Sequence, residues 1–276
     1  MCIVAIAWQL FDELPLVLLS NRDEFLNRPT EELHQWCDKP IYAGRDHQSG
    51  GTWLGIHQEQ RTDVRHQNGR WAAVLNFRDG VQARNDERSR GALVTDFLTS
   101  SLNPIDFARH IDLQKYAGFN LIIGDTQQAV IVNNRGHAPT PLYAGLHVFS
   151  NGQPDEAWFK TERLRARLRQ EVLPLISEDS APEYWQQAAF EVLSDQTKAP
   201  ADKLPDTGIA FEIEQILSSV YIEPAILGDN KKTAANYGTR TQSILTLRQN
   251  VPSSRSPAND IAQLNSREYR PHLHNP

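Results

Sequence analysis

The chain is poor in sulfur: of 276 residues, two are cysteine and one is methionine. Cys2 and Cys37 lie 35 positions apart, with no CxxC, CxxCH or paired Cys/His spacing, and the nine histidines show no ligand spacing. That pattern excludes a recognisable zinc site and covalently attached haem. Cysteine this sparse fits a reducing compartment, and Cys37 reads as an ordinary thiol. Long hydrophobic runs are missing too. The longest is about eight residues, at the N-terminus, against the ~20 that a spanning helix needs. No basic segment precedes it to make a secretory signal. With a formal net charge of −6 and no sustained basic stretch, a nucleic-acid partner is not expected. P-loop, HExxH, GxGxxG and Ser-His-Asp patterns are all absent. The expectation is a cytoplasmic protein without a metal, a resident cofactor or a membrane span. Its oligomeric state is not legible.

What is present is enough for a sizeable core: 39% of residues are hydrophobic and 22% charged. Residues 1–250 read as a single domain. Residues 251–276, which begin VPSSRSPAND, read as a loop-rich, partly disordered tail. The chain starts with two apolar runs, Cys2 to Trp8 and Leu16 to Leu19, separated by Phe11-Asp12-Glu13-Leu14-Pro15. Two such runs joined by a polar turn predict an antiparallel hairpin covered on both faces. Folding it at Asp12/Glu13 sets Cys2 opposite Asp23, to within a residue.

Further strands are expected around Trp53, over Trp71 to Phe77, in the hairpin Phe119–Ile123/Ala129–Val132, over Leu146 to Phe149 and over Tyr237 to Leu247. Helices are expected around Leu93, after Asn103-Pro104, from Asp155, over Pro182 to Leu193 and over Thr207 to Val220. Gln58 to Gly69 reads as a charged surface loop. This order of strands, helices, strands, helices, strand predicts an α+β protein with helix layers over antiparallel sheets.

Cys2 follows Met1 directly. Removal of that methionine would expose a Cys2 α-amine with a pKa of ~7.7–8.0, able to act as a base for its own thiol. Arg22 would lower the thiol pKa, and Asp23 would hold the α-ammonium. Asn151, just past a strand, is the leading side-chain oxyanion donor, and the Asn76-Phe77 segment could supply a second from backbone or amide. By precedent one such donor is worth roughly 2.7–4 kcal/mol.

The run Asn21-Arg22-Asp23-Glu24 behind an MCIV start resembles the NRDE family, also called the transport and Golgi organisation protein 2 family. The likeness continues through Arg28-Pro29, Ala43-Gly44-Arg45-Asp46, Gly50 to Gly55, Leu75-Asn76-Phe77-Arg78, Ser89-Arg90-Gly91 and Gly118 to Leu121. It extends to Ser150-Asn151-Gly152, Trp158 and Tyr237-Gly238-Thr239-Arg240. Within these motifs Arg45, Trp53 and Phe77 are expected to contact substrate. The family has been linked to haem trafficking, to lipid and coenzyme A metabolism, and to secretory-pathway organisation. It therefore implies a rival role: carriage of haem or a lipid-like ligand in the same pocket.

More distantly, the chain is similar to N-terminal nucleophile amide hydrolases of the choloylglycine hydrolase and penicillin V acylase group. That likeness implies a four-layer αββα sandwich of two antiparallel sheets flanked by helices. It implies Cys2 as nucleophile with Arg22 and Asp23 beside it, although that group spaces its Arg and Asp. Asn76 and Asn151 would bind the oxyanion, and Arg240 would be a second active-site arginine. The implied activity is cleavage of a non-peptide C–N amide bond in a small acyl substrate.

Overall fold

The computed structural model describes residues 2–59, 69–227, 235–248 and 262–269. The apolar N-terminal run is β1 (Cys2–Trp8), paired antiparallel with β2 (Leu16–Phe25). Successive strand side chains point to opposite faces. Ile3, Ala5 and Ala7 therefore face one apolar cluster, and Val4, Ile6 and Trp8 face another. A strand buried on both sides shows no polar alternation, which is why the sequence here is continuously apolar.

Strand β2 also pairs along its length with β12 (Ala235–Leu247). Adding β10 (Gly145–Phe149), β11 (Ala225–Leu227) and β13 (Ala262–Glu268) completes a six-stranded sheet. Its order is β10-β1-β2-β12-β11, with β13 on β12 beyond β11. The second sheet is a seven-stranded antiparallel meander in chain order. It consists of β3 (Thr30–Gln35), β4 (Ile41–Asp46), β5 (Leu54–His57), β6 (Trp71–Asn76), β7 (Phe119–Gly124), β8 (Ala129–Asn133) and β9 (Thr140–Pro141). The sheets meet face to face through Val4, Ile6, Leu16 and Leu18 on one side and Leu54, Ile56, Ala73 and Ile122 on the other. Trp8 and Trp71 cross that interface with ring centroids 6.4 Å apart. Each large side chain withdrawn from water here contributes roughly 1.5–3 kcal/mol.

Helices close both outer faces. Val94, Phe97 and Leu98 of α1 (Gly91–Thr99) and Ala108 of α2 (Pro104–His110) cover the second sheet. Asn103 caps α2 by accepting from the Asp106 N–H, with Pro104 following it, as its sequence predicts. On the other side α3 (Phe159–Arg167), a π-helical stretch over Leu168–Val172, α4 (Leu173–Ser177) and α5 (Pro182–Leu193) cover the first sheet. The layers run helix, sheet, sheet, helix: an α+β αββα sandwich. Among the described residues no helix is long and apolar enough to cross a membrane.

One local expectation differs from the structure. The helix expected over Thr207 to Val220 is only α6 (Phe211–Ile216). Gly208 before it takes φ +79°, and Ser218 and Ser219 after it turn their hydroxyls onto the Gln215 and Tyr221 carbonyls. Beyond the expected strands, the polar stretch after Thr30 forms an edge strand, β3, where polar side chains are tolerated. Within the loop-rich tail expected from 251 onward, β13 adds seven paired positions to β12. The rest of that tail, and most of the loop expected over Gln58 to Gly69, lie outside the described residues.

Candidate active site

The site is set by the register of the first hairpin. Cys2 pairs with Arg22, Ile3 with Asn21 and Val4 with Ser20. The sequence expectation of Asp23 opposite Cys2 is thus off by one residue, within its stated margin. One residue decides which face a side chain takes. Cys2 and Arg22 share the face turned toward the second sheet, and Asn21 and Asp23 take the other. Asn21 is fully buried and donates to the Leu193 and Val220 carbonyls, both at 2.8 Å.

Arg22 is buried in a charged nest. Its Nη2 lies 3.4 Å from Asp46 Oδ2 and 3.6 Å from Glu24 Oε2, and its guanidinium stacks 4.2 Å above the Trp53 ring. Arg28 Nε joins at 2.6 Å from the same Asp46 oxygen. Burial alone would raise the Asp46 carboxyl; the Arg28 bond and charge outweigh it and hold it below the usual range. Asp23 accepts from the Thr239 hydroxyl at 2.6 Å, and its backbone carbonyl accepts from the Tyr237 hydroxyl at 2.9 Å. Burial pushes the Asp23 carboxyl up, partly opposed by Lys160.

Burial also pushes the Cys2 thiol above its ordinary value, outweighing the pull of Arg22. The sequence had pointed to Arg22 lowering it. Arg22 does pull it down, and desolvation by burial is the larger effect.

These groups edge a cavity of about 480 Å³ whose wall includes Cys2, Arg22, Asp23, Trp53, Asn76 and Arg90. Of the expected site residues, five therefore come together. The other four are elsewhere. Asn151 is fully buried beneath the site: its Nδ2 donates to the Asn76 carbonyl at 2.8 Å, and its backbone carbonyl accepts from the Arg78 N–H at 2.7 Å. It holds the end of β6 rather than lining the cavity. The Phe77 N–H is taken by the Gly118 carbonyl at 2.8 Å, so it is not free as an oxyanion donor.

Arg45 alternates away from Asp46 on β4, grips Asp38 at 2.8 and 2.9 Å and stacks on Trp36. Arg240 occupies the bulge between Thr239 and Thr241, opposite the Arg22/Asp23 step. Its guanidinium turns to the Leu26 and Arg28 carbonyls and lines a separate groove with Tyr221, Arg267 and Tyr269.

Sequence reasoning missed Asp46, Arg90 and Lys160. Lys160 is buried and points its ammonium at Asn151 Oδ1 (3.4 Å) and the Leu217 carbonyl (3.3 Å). Burial and then Arg78 bring its pKa down to about 8. A signal for it existed, since positions 160, 164, 168 and 172 share one helical stripe with three apolar residues. Ser150 completes the floor, its hydroxyl donating to the Cys2 carbonyl at 3.0 Å.

The fold and site define an αββα sandwich protein with a cysteine at the start of a central strand, edging a charged cavity. The model of the family described as Transport and Golgi organisation 2 matches residues 1–254, and the chain belongs to that family. It is 30% identical to the mouse Transport and Golgi organization 2 homolog over 259 residues, 85% of this chain and 83% of that protein. The human homolog is 29% identical, over 83% of this chain and 81% of that protein. Among solved structures, a Caenorhabditis elegans ortholog of N-acylethanolamine-hydrolyzing acid amidase is similar at TM-score 0.43 and 12% identity. That likeness covers 70% of this chain and 86% of that one, and is too loose to bear on activity.

Proposed function

We propose that the chain is an N-terminal cysteine amidohydrolase acting on a non-peptide C–N amide bond of a small acyl substrate. The observation that carries this reading is the direct pairing of Cys2 with Arg22, beside Asp23, at the edge of the 480 Å³ cavity. Removal of Met1 would make the Cys2 amine terminal. The thiol would then attack the amide carbon while its proton passes through that amine to the departing nitrogen. Water would hydrolyse the resulting thioester, returning the thiol. Asn76 lines the cavity and is the better oxyanion donor, and Asn151 positions it. Arg22 orients the thiol, and Asp23 offers a carboxylate for the terminal ammonium. Trp53 forms a wall against the acyl group.

The test is intact mass together with labelling by a thiol-directed acylating probe, in a Cys37→Ser background because Cys37 is exposed. Loss of Met1 and one acyl adduct, absent in Cys2→Ala, are expected. Retained Met1, or equal labelling of Cys2→Ala, would sink the proposal. In that case the competing reading, carriage of haem or a lipid-like ligand, gains, and a Soret titration at micromolar protein decides it.

A further inference from the structure

Arg90 has no role in the chemistry above, yet it is the least satisfied cation in the cavity wall. Its neighbours there are paired. Arg22 and Arg28 share Asp46 and Glu24, Arg88 is held by Asp96 and the Tyr116 hydroxyl, and Arg84 by Asp86. Among the described residues Arg90 has no carboxylate within 4 Å, and its one hydrogen bond runs from Nη1 to the Gly118 carbonyl at 3.2 Å. Its Nε and Nη2 have no hydrogen-bond partner among the described residues. Arg22, whose side chain is 5% exposed, keeps a buried Nη1 with no hydrogen-bond partner among the described residues. A buried guanidinium N–H without an acceptor is costly, and a guanidinium fork matches carboxylate and phosphate.

The placement of Arg90 is built into the backbone. It immediately precedes α1, whose first residue, Gly91, lies against Gly51. A Cβ on Gly51 would come within 2.7 Å of the Gly91 carbonyl carbon. This close glycine-to-glycine approach holds the start of α1 beside the cavity wall. The helix's own first N–H groups are already used, Gly91 N–H by the Ser89 hydroxyl and Ala92 N–H by the Ser89 carbonyl. The guanidinium is therefore what remains for a ligand.

We propose that Arg90, flanked by Arg22, forms an anion subsite beside Cys2, so that the substrate carries a carboxylate or phosphate group as well as its scissile amide. This deepens the amidohydrolase reading and rests on it for the word substrate, though not for the binding of an anion.

Two arms test it, both in the Cys37→Ser background. The first compares acylation of Cys2 by the S-phenyl thioester of glutaric acid, with its free carboxylate, and by the methyl ester of the same compound. The carboxylate form should react about tenfold faster at low concentration. Arg90→Gln should bring the ratio close to one, and Arg90→Lys should retain part of it. A wild-type ratio of one, or an unchanged ratio in Arg90→Gln, overturns the subsite. A urea midpoint and circular dichroism matching the parent's show that Arg90→Gln is folded, since an unfolded chain would also react without preference.

The second arm titrates Cys2→Ala with glutarate and with inorganic phosphate by calorimetry, with and without Arg90→Gln. Binding that weakens at least several-fold in the double variant supports the subsite, and the tighter of the two anions names its chemistry. If neither thioester labels Cys2, the nucleophile reading has failed and this arm alone decides the subsite. Absence of binding, or binding indifferent to Arg90→Gln, overturns it.

Discussion

Cys2 and Arg22 stand directly opposite one another across the first hairpin, on the face turned toward the second sheet. The cation is not, however, a thiolate partner in waiting. It is held between Asp46 and Glu24 and laid on Trp53, and burial keeps the thiol proton above the ordinary range despite its charge.

The first prediction concerns that proton. Alkylation of Cys2 by iodoacetamide in Cys37→Ser protein should rise with pH, with a midpoint above the ~8.5 of a free thiol. Arg22→Gln should move the midpoint higher, since it removes a cation that favours the thiolate. Rates followed by intact mass between pH 6 and about 10.5 check this. A midpoint below a free thiol's would contradict the dominance of burial.

Lys160 gives a stability signature. Its folded pKa of about 8 lies below the ordinary 10.5, so between those values the unfolded chain binds more protons and stability rises with pH. Below pH 8 the burial cost is fully present, on the order of 3 kcal/mol. Lys160→Met should therefore be more stable than the parent near pH 7, with the gap narrowing as pH climbs through 8 to 10.5. Urea unfolding of both proteins across that range provides the measurement. The comparison cancels the opposite slope contributed by the raised Cys2 thiol.

Asn21 should be costly to replace. It joins the polar end of β2 to the ends of two segments on the helical side, through the Leu193 and Val220 carbonyls. Asn21→Leu leaves both buried acceptors without that donor, a loss of about 2–4 kcal/mol. The urea midpoint should fall accordingly with the m-value unchanged.

Gly50 and Gly51 should respond differently to alanine. Gly50 takes φ +72° with open space around it, so Gly50→Ala costs only the left-handed backbone, about 1 kcal/mol. Gly51→Ala drives a methyl into the Gly91 backbone and should cost more, about 1–3 kcal/mol, and displace Arg90 with the start of α1. Thermal unfolding ranks the two, and loss of the carboxylate preference in the thioester assay reports the displacement.

The sequence by itself determined the kind of layering and the charged edge at Cys2. Continuous apolar strands can only be buried on both faces, and the 3.6-residue stripes of the helices need a sheet to cover, so helix layers over antiparallel sheets were legible; the four-layer αββα order was implied only by the likeness to the amide hydrolases. Cys2 beside an Arg-Asp pair was legible too, because a tight hairpin pairs its ends by counting. Counting fails at one residue, and one residue is a change of face. That is why Asp46 rather than Arg45 reaches Arg22, and why Arg22 rather than Asp23 faces Cys2. Tertiary structure alone decided which polar groups are already engaged. Asn151 serves the Asn76 carbonyl, the Phe77 N–H serves Gly118, and Arg240 serves the carbonyls of 26 and 28, while Arg90 keeps a guanidinium to spare. Hydrogen-bond engagement depends on neighbours brought from distant parts of the chain, and no local pattern encodes it.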